Sequence, residues 1–116
     1  MAYTINEEKI YSVTKDELTQ AIIGAVNGLE GKVLSQDPDA GRIVAKFNKT
    51  ILGKVLGDRT QIEIDLYNLS PKETKLALSV YPINPIGQKL QFGARKGVSR
   101  TVMTWFFAHV DHRLEK

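Results

Sequence analysis

The stretch QIEIDLYNLSPKETKLALSVY, residues 61–81, alternates apolar and polar side chains on either side of a short break. Ile62, Ile64 and Leu66 oppose Glu63, Asp65 and Tyr67; after Asn68 to Lys72, Leu76, Leu78 and Val80 oppose Lys75, Ala77, Ser79 and Tyr81. A period of two is that of a pleated strand, whose successive side chains point to opposite faces. Two such runs joined by so short a loop are antiparallel neighbours, because a parallel pair needs a crossover of a dozen or more residues. The sheet they begin has one apolar and one polar face, and the apolar face requires a cover.

Upstream, Lys32 to Gln36 reads as a strand, Asp37-Pro-Asp-Ala-Gly41 as a turn and Arg42 to Phe47 as the returning strand, with Ile43, Ala45 and Phe47 on one side. Thr50 to Gly57 is an apolar run interrupted by two glycines and has no definite assignment. Tyr81 to Gly87, with two prolines and a glycine, reads as irregular, and Gln88 to Phe92 as a short edge strand.

The cover comes from both ends of the chain. Thr14-Lys-Asp-Glu17 has the form of a capping box, in which the threonine hydroxyl and the glutamate carboxylate each satisfy a free backbone N–H. Leu18, Ala21, Ile22, Ala25, Val26 and Leu29 follow at spacings of three and four, which predicts a helix over Lys15 to Asn27 with Gly28 as its left-handed C-cap. A second helix is expected from Ser99 or Arg100 to Leu114, with Ser99 as N-cap and Met103, Phe106, Phe107, Val110 and Leu114 as its apolar stripe. The order helix, four or five strands, helix predicts an α+β domain of two layers. Its antiparallel sheet of four to five strands carries the N-terminal and C-terminal helices on one face.

At 116 residues the chain suits a single domain spanning 1–116. The absence of cysteine excludes disulfides, thiolate nucleophiles and thiolate metal sites, and fits a reducing compartment. The start, MAYTINEEKI, places an acidic pair where a secretory signal has basic and apolar regions, and no apolar run reaches the ~20 residues of a spanning helix. The expectation is a cytoplasmic protein without membrane insertion.

Gly41-Arg-Ile-Val-Ala45 in an early hairpin, Thr74 to Val80 as the last long strand and a basic turn into an aromatic helix together resemble small bacterial α-β4-α domains of unknown function. That resemblance implies a fold and carries over no functional residue.

Charge is unevenly spread. Residues 1–41 carry Glu7, Glu8, Asp16, Glu17, Glu30, Asp37 and Asp39 against Lys9, Lys15 and Lys32. Residues 42–57 carry only the cations Arg42, Lys46, Lys49 and Lys54 until Asp58, and residues 87–100 only Lys89, Arg95, Lys96 and Arg100. Within FGARKGVSR, residues 92–100, the helix N-terminus with Arg95, Lys96 and Arg100 has the groups to hold a phosphate or carboxylate; the plainer alternative is a solvated helix entry. The segment lacks both the Walker and the GxGxxG spacing. Tyr67 and Tyr81 on the polar face are candidate stacking platforms for nucleic acid, opposed by Glu63 and Asp65, for which Lys46 and Lys75 are candidate cross-strand partners. Arg100 has Asp37 or Asp39 as candidate partners.

His109, His112 and Glu115 recur at intervals of three, but no third ligand element is identifiable, so no metal and no cofactor are expected. With no GxSxG elbow, catalysis has little support. Val102 and Trp105, beside the centre of the last stripe, are candidate contacts to a partner chain, with core packing as the alternative. The first expectation is therefore a non-enzymatic protein-interaction or self-association module. The alternative is anionic-ligand or nucleic-acid binding through the basic loop before the last helix, nucleic acid being the less favoured partner.

Overall fold

The apolar side of the 61–81 hairpin is covered by two helices. A computed structural model describes residues 3–90, 93–94 and 97–115. In chain order the elements are β1 (Ile5–Tyr11), α1 (Lys15–Gly28), β2 (Lys32–Asp37), β3 (Arg42–Phe47), β4 (Thr50–Ile51), β5 (Lys54–Val55), β6 (Arg59–Ser70), β7 (Glu73–Ile83) and α2 (Val98–Glu115). The sheet has the order β1-β7-β6-β3-β2 with every neighbour antiparallel, and β4–β5 forms a separate small hairpin. The predicted α+β architecture holds, with one element more than expected: the chain opens with strand β1, not a helix.

β1 escaped the pattern reading because its helix-facing side carries Glu7 and Lys9 between Ile5 and Tyr11. The strand lies at the sheet edge, where its register against Thr74 to Val80 is set by backbone pairing. Lys9 reaches over the Phe107 ring, 4.9 Å from its centroid, and bonds Asp111 of α2 at 3.1 Å. Tyr11 donates to the same carboxylate at 2.8 Å. Polar side chains thus tie the edge strand to the helix where apolar ones tie the centre.

The core lies between the layers. Ile62, Ile64, Leu76 and Val80 from the sheet meet Leu18, Ile22, Val102, Phe106 and Val110, all with essentially no accessible surface. A space admitting water would leave accessible area on its walls, so the layers are filled at these positions.

The capping box forms as predicted: Thr14 accepts from the Glu17 N–H and Glu17 accepts from the Thr14 N–H. The C-terminus of α1 differs from expectation. Gly31 N–H reaches the Val26 carbonyl at 2.8 Å and Glu30 N–H the Asn27 carbonyl at 3.0 Å, a Schellman motif whose left-handed residue is Glu30, with φ 63°. Gly28 instead belongs to the helix contact: a Cβ there would lie 3.2 Å from the His109 ring, and one at Gly24 2.6 Å from the Arg113 guanidinium. The lack of a side chain at 28 lets α2 approach, while at 24 it leaves room for the Arg113 side chain. These contacts run antiparallel, so the N-terminal part of α2 continues past the C-terminus of α1. Ser99 is also not a cap; α2 begins at Val98, with Thr101 N–H on the Gly97 carbonyl, and Ser99 is buried in its first turn.

Thr50 to Gly57 resolves into β4 and β5. Ile51 is buried in the core, Leu56 and Gly57 donate to the Lys49 carbonyl, and Leu52 N–H bonds the Glu30 carboxylate at 2.9 Å. At the sheet end where Phe47, Thr60 and Pro82 stand side by side, this hairpin, the 84–90 turn and the start of α2 all emerge. Asp16, Glu17, Asp37 and Asp39 belong to the opposite end. Of the predicted 88–92 edge strand, Lys89 makes one bridge to Ile83, and Gln91 and Phe92 lie outside the described residues.

Two glycine substitutions should separate in sign. A Cβ at Gly31 would meet the buried Phe47 ring at 2.6 Å and the Lys46 carbonyl at 2.9 Å, so Gly31→Ala is expected to destabilise by roughly 1–3 kcal/mol. At Gly24 only the exposed Arg113 side chain obstructs, and it can swing away. Gly24→Ala should gain up to about 1 kcal/mol of helix propensity. Urea denaturation of both variants measures the contrast.

Candidate binding surface

The outer face of the sheet is organised by Arg42. Its Nη1 lies 3.1 Å from both oxygens of Asp65, its directly opposed residue, and its Nη2 lies 2.8 Å from Glu63. Tyr81 donates its hydroxyl hydrogen to the other Glu63 oxygen and accepts from Gln61 at 2.9 Å. The Tyr81 hydrogen bond, followed by the Arg42 ion pair, holds the Glu63 carboxyl below its usual range against the opposing effect of burial. Burial first, then the bond to Glu63, pushes the Tyr81 phenol up to about 12. Tyr11 is likewise raised, by burial and by Asp111.

This network revises two expectations. The partner of Glu63 and Asp65 is Arg42 and not Lys46 or Lys75: Lys46 stands opposite Lys32 and Gln61, and Lys75 lies 3.9 Å from Glu8. Tyr81 is no open stacking platform, because it is buried and the Lys89 ammonium lies 4.4 Å from its ring centroid. Tyr67 is the exposed aromatic side chain among the described residues; it stands at the β6–β7 turn end, with Lys75 over its ring.

The end carrying the β4–β5 hairpin has a different character. Lys49 and Lys54 flank the hairpin, Lys89 closes the 84–90 turn, and Arg100 is exposed in the first turn of α2, which contains no acid. Among the described residues none of these four forms an ion pair, whereas Lys9, Arg42 and Lys75 elsewhere do. Lys32 and Lys46 stand directly opposite each other on the adjacent strands, an unfavourable like-charge pairing in the absence of an anion.

The same end exposes aliphatic side chains on well-held loops. Leu52 is 57% exposed, Val55 74% and Ile86 79%. Leu52 has φ 50°, a left-handed conformation that costs a non-glycine residue roughly 1–2 kcal/mol. Ile86 rides on a turn tied by Asn84, whose side chain accepts from the N–H groups of Ile86 at 3.0 Å and Gln88 at 2.9 Å.

Of the residues singled out from sequence, Arg95 and Lys96 lie outside the described residues. Arg100 is exposed at the loop end, away from Asp37, whose carboxylate accepts from Ala40 in the opposite-end turn. Val102 is wholly buried in the chain's own core, and Trp105 is half-buried against it. No group of three or more histidine, aspartate and glutamate side chains converges among the described residues. Sequence reading missed Leu52, Val55 and Ile86 as a set; the signal was Gly53 and Gly57 around the hairpin, but nothing in the pattern told inward Ile51 from outward Leu52.

No protein-family model matches the chain. No curated protein sequence matches it either. Solved structures share its fold. Ara h 8.0201 superposes with TM-score 0.63 over 100% of both chains at 13% identity. Protein MLL2253 from Mesorhizobium loti gives 0.62 over 97% of this chain and 96% of its own at 15% identity. The di-domain ARO/CYC StfQ from the steffimycin biosynthetic pathway gives 0.62 at 9% identity, over 91% of this chain and 43% of its own. This chain therefore spans less than half the length of that two-domain protein. These likenesses show the fold alone, an antiparallel five-stranded sheet with a helix from each end of the chain. No helix among the described residues is long and apolar enough to cross a membrane.

The Arg42 network sets a pH signature. Glu63, depressed in the folded state, contributes stability that is present above the usual glutamate range and lost as pH falls through its lowered value. Tyr81, raised, contributes stability that is full below about 10 and lost as pH rises toward about 12. Glu63→Gln should flatten the acid limb and move Tyr81 ionisation to lower pH, read by urea denaturation across pH and by tyrosine absorbance.

Proposed function

We propose that this domain is a non-catalytic binding module that recognises an anionic partner with the loop end of its sheet. The observation that carries the reading is the gathering of Lys49, Lys54, Lys89 and Arg100 at one end, none of them in an ion pair among the described residues, while Arg42 bridges the central acids. Arg95 and Lys96 join them in sequence. The filled layer between sheet and helices supports an external recognition surface. Titration with inorganic polyphosphate, followed by amide NMR, tests the reading. Saturable shifts confined to residues 49–57, 84–90 and 97–101, weakening with salt and in the Lys49→Ala, Lys54→Ala, Arg100→Ala variant, are expected. Shifts that are absent or insensitive to salt would refute it.

The edge strand β1 supports a second reading, self-association by strand pairing. Its outer backbone groups have no strand partner among the described residues, and its pairing to β7 is free of bulges, so it offers a regular template. Sedimentation equilibrium over a wide concentration range is expected to show a reversible dimer on this reading. A monomer throughout would exclude it.

A further inference from the structure

We infer that the anionic partner is a lipid surface, and that Leu52, Val55 and Ile86 are the side chains that enter it. The inference rests on the anionic reading above and adds the identity of the partner. Folding does not account for these residues: each is more than half exposed, and Leu52 occupies a left-handed position that asparagine or glycine would fill with less strain. Their loops are fixed, Leu52 through Glu30 and Ile86 through Asn84, so the exposure is built into the backbone. Each apolar tip has a lysine within three residues, Lys54 beside Leu52 and Val55, Lys89 beside Ile86. Aliphatic tips with Lys54 beside them match a bilayer surface, where the side chains pass into the headgroup and acyl boundary and the ammonium group remains among anionic headgroups, the Glu30 carboxylate at the same end being engaged by the Leu52 N–H.

Charge and shape together favour lipid over nucleic acid. Bases are held by exposed aromatic platforms. The exposed aromatic side chain among the described residues, Tyr67, is at the opposite end, and Tyr81 is buried under Lys89. The body measures 43 × 27 × 21 Å, and the tips lie at one end of the strands. Docking there places the sheet steeply to the membrane, resting on the surface and not spanning it.

Co-sedimentation of the full chain with vesicles of phosphatidylcholine alone, and of phosphatidylcholine mixed with phosphatidylglycerol, tests the inference. Binding to the mixed vesicles and not to the neutral ones is expected. The triple variant Leu52→Asn, Val55→Thr, Ile86→Ser should keep its fold by circular dichroism and keep its polyphosphate affinity, yet lose about tenfold or more of its vesicle affinity. Lys54→Ala should lose about fivefold toward vesicles. Polyphosphate binding without vesicle binding leaves the anionic reading standing and overturns this inference, as does a triple variant that binds vesicles like the parent. Preference for a single-stranded oligoribonucleotide over the mixed vesicles also overturns it. Failure to bind any anionic probe removes both.

Discussion

The continuous antiparallel pairing of β6 with β7 is the constraint on which the molecule depends. The register runs from Arg59 opposite Ile83 to Ser70 opposite Glu73, interrupted by one irregularity near the turn. Because every second side chain on its inner side is apolar, it offers a long one-sided surface that is unstable until covered. The two helices are answers to that surface. Their own approach sets Gly28 against the His109 ring, where a side chain would crowd the contact. Strand β1 extends the sheet to the edge of the core, where Ile5 and Tyr11 still pack against it and Lys9, Tyr11 and Asp111 add hydrogen bonds and an ion pair.

The same ladder separates the charges. Arg42 sits directly across from Asp65 and two pairs along from Glu63 on the same face, so a single guanidinium bridges both acids at the middle of the outer face. What remains uncompensated is pushed to the ends. Asp37, Asp39, Asp16 and Glu17 stand around the Asp37 turn and the start of α1, with Lys15 and Lys72 among them, and Lys49, Lys54, Lys89 and Arg100 around the β4–β5 hairpin, the 84–90 turn and the start of α2, with Glu30 and Asp58 among them. A net charge of +3 is modest for the whole chain, but its placement gives the molecule a polarity that the total does not express.

Much of the fold was legible from residue patterns. The period of two in residues 61–81, the proline and glycine turn before Arg42 and the capping box at Thr14 are local signals whose physical causes act within a few residues. β1 was illegible because an edge strand is specified by the backbone groups of its neighbour, and its helix-facing side is half polar. Gly28 was misread because a glycine near a helix end serves equally as a cap or as a point of close approach, and only the partner helix distinguishes them. Of the candidate site, the basic runs were visible, but the roles of Lys46 and Tyr81 were not: which acid a cation meets depends on strand register.

The sequence by itself determined the two-layer α+β architecture, because alternation and helical periodicity act through the local geometry of the chain. Only the tertiary structure decided which cations remain free and which apolar residues face outward. Those properties depend on residues far apart in sequence: Arg42 with Asp65, Leu52 with Glu30, Lys89 with Tyr81. The proposed recognition surface is the residue of that accounting, the charge and apolar area left after the fold has satisfied its own needs.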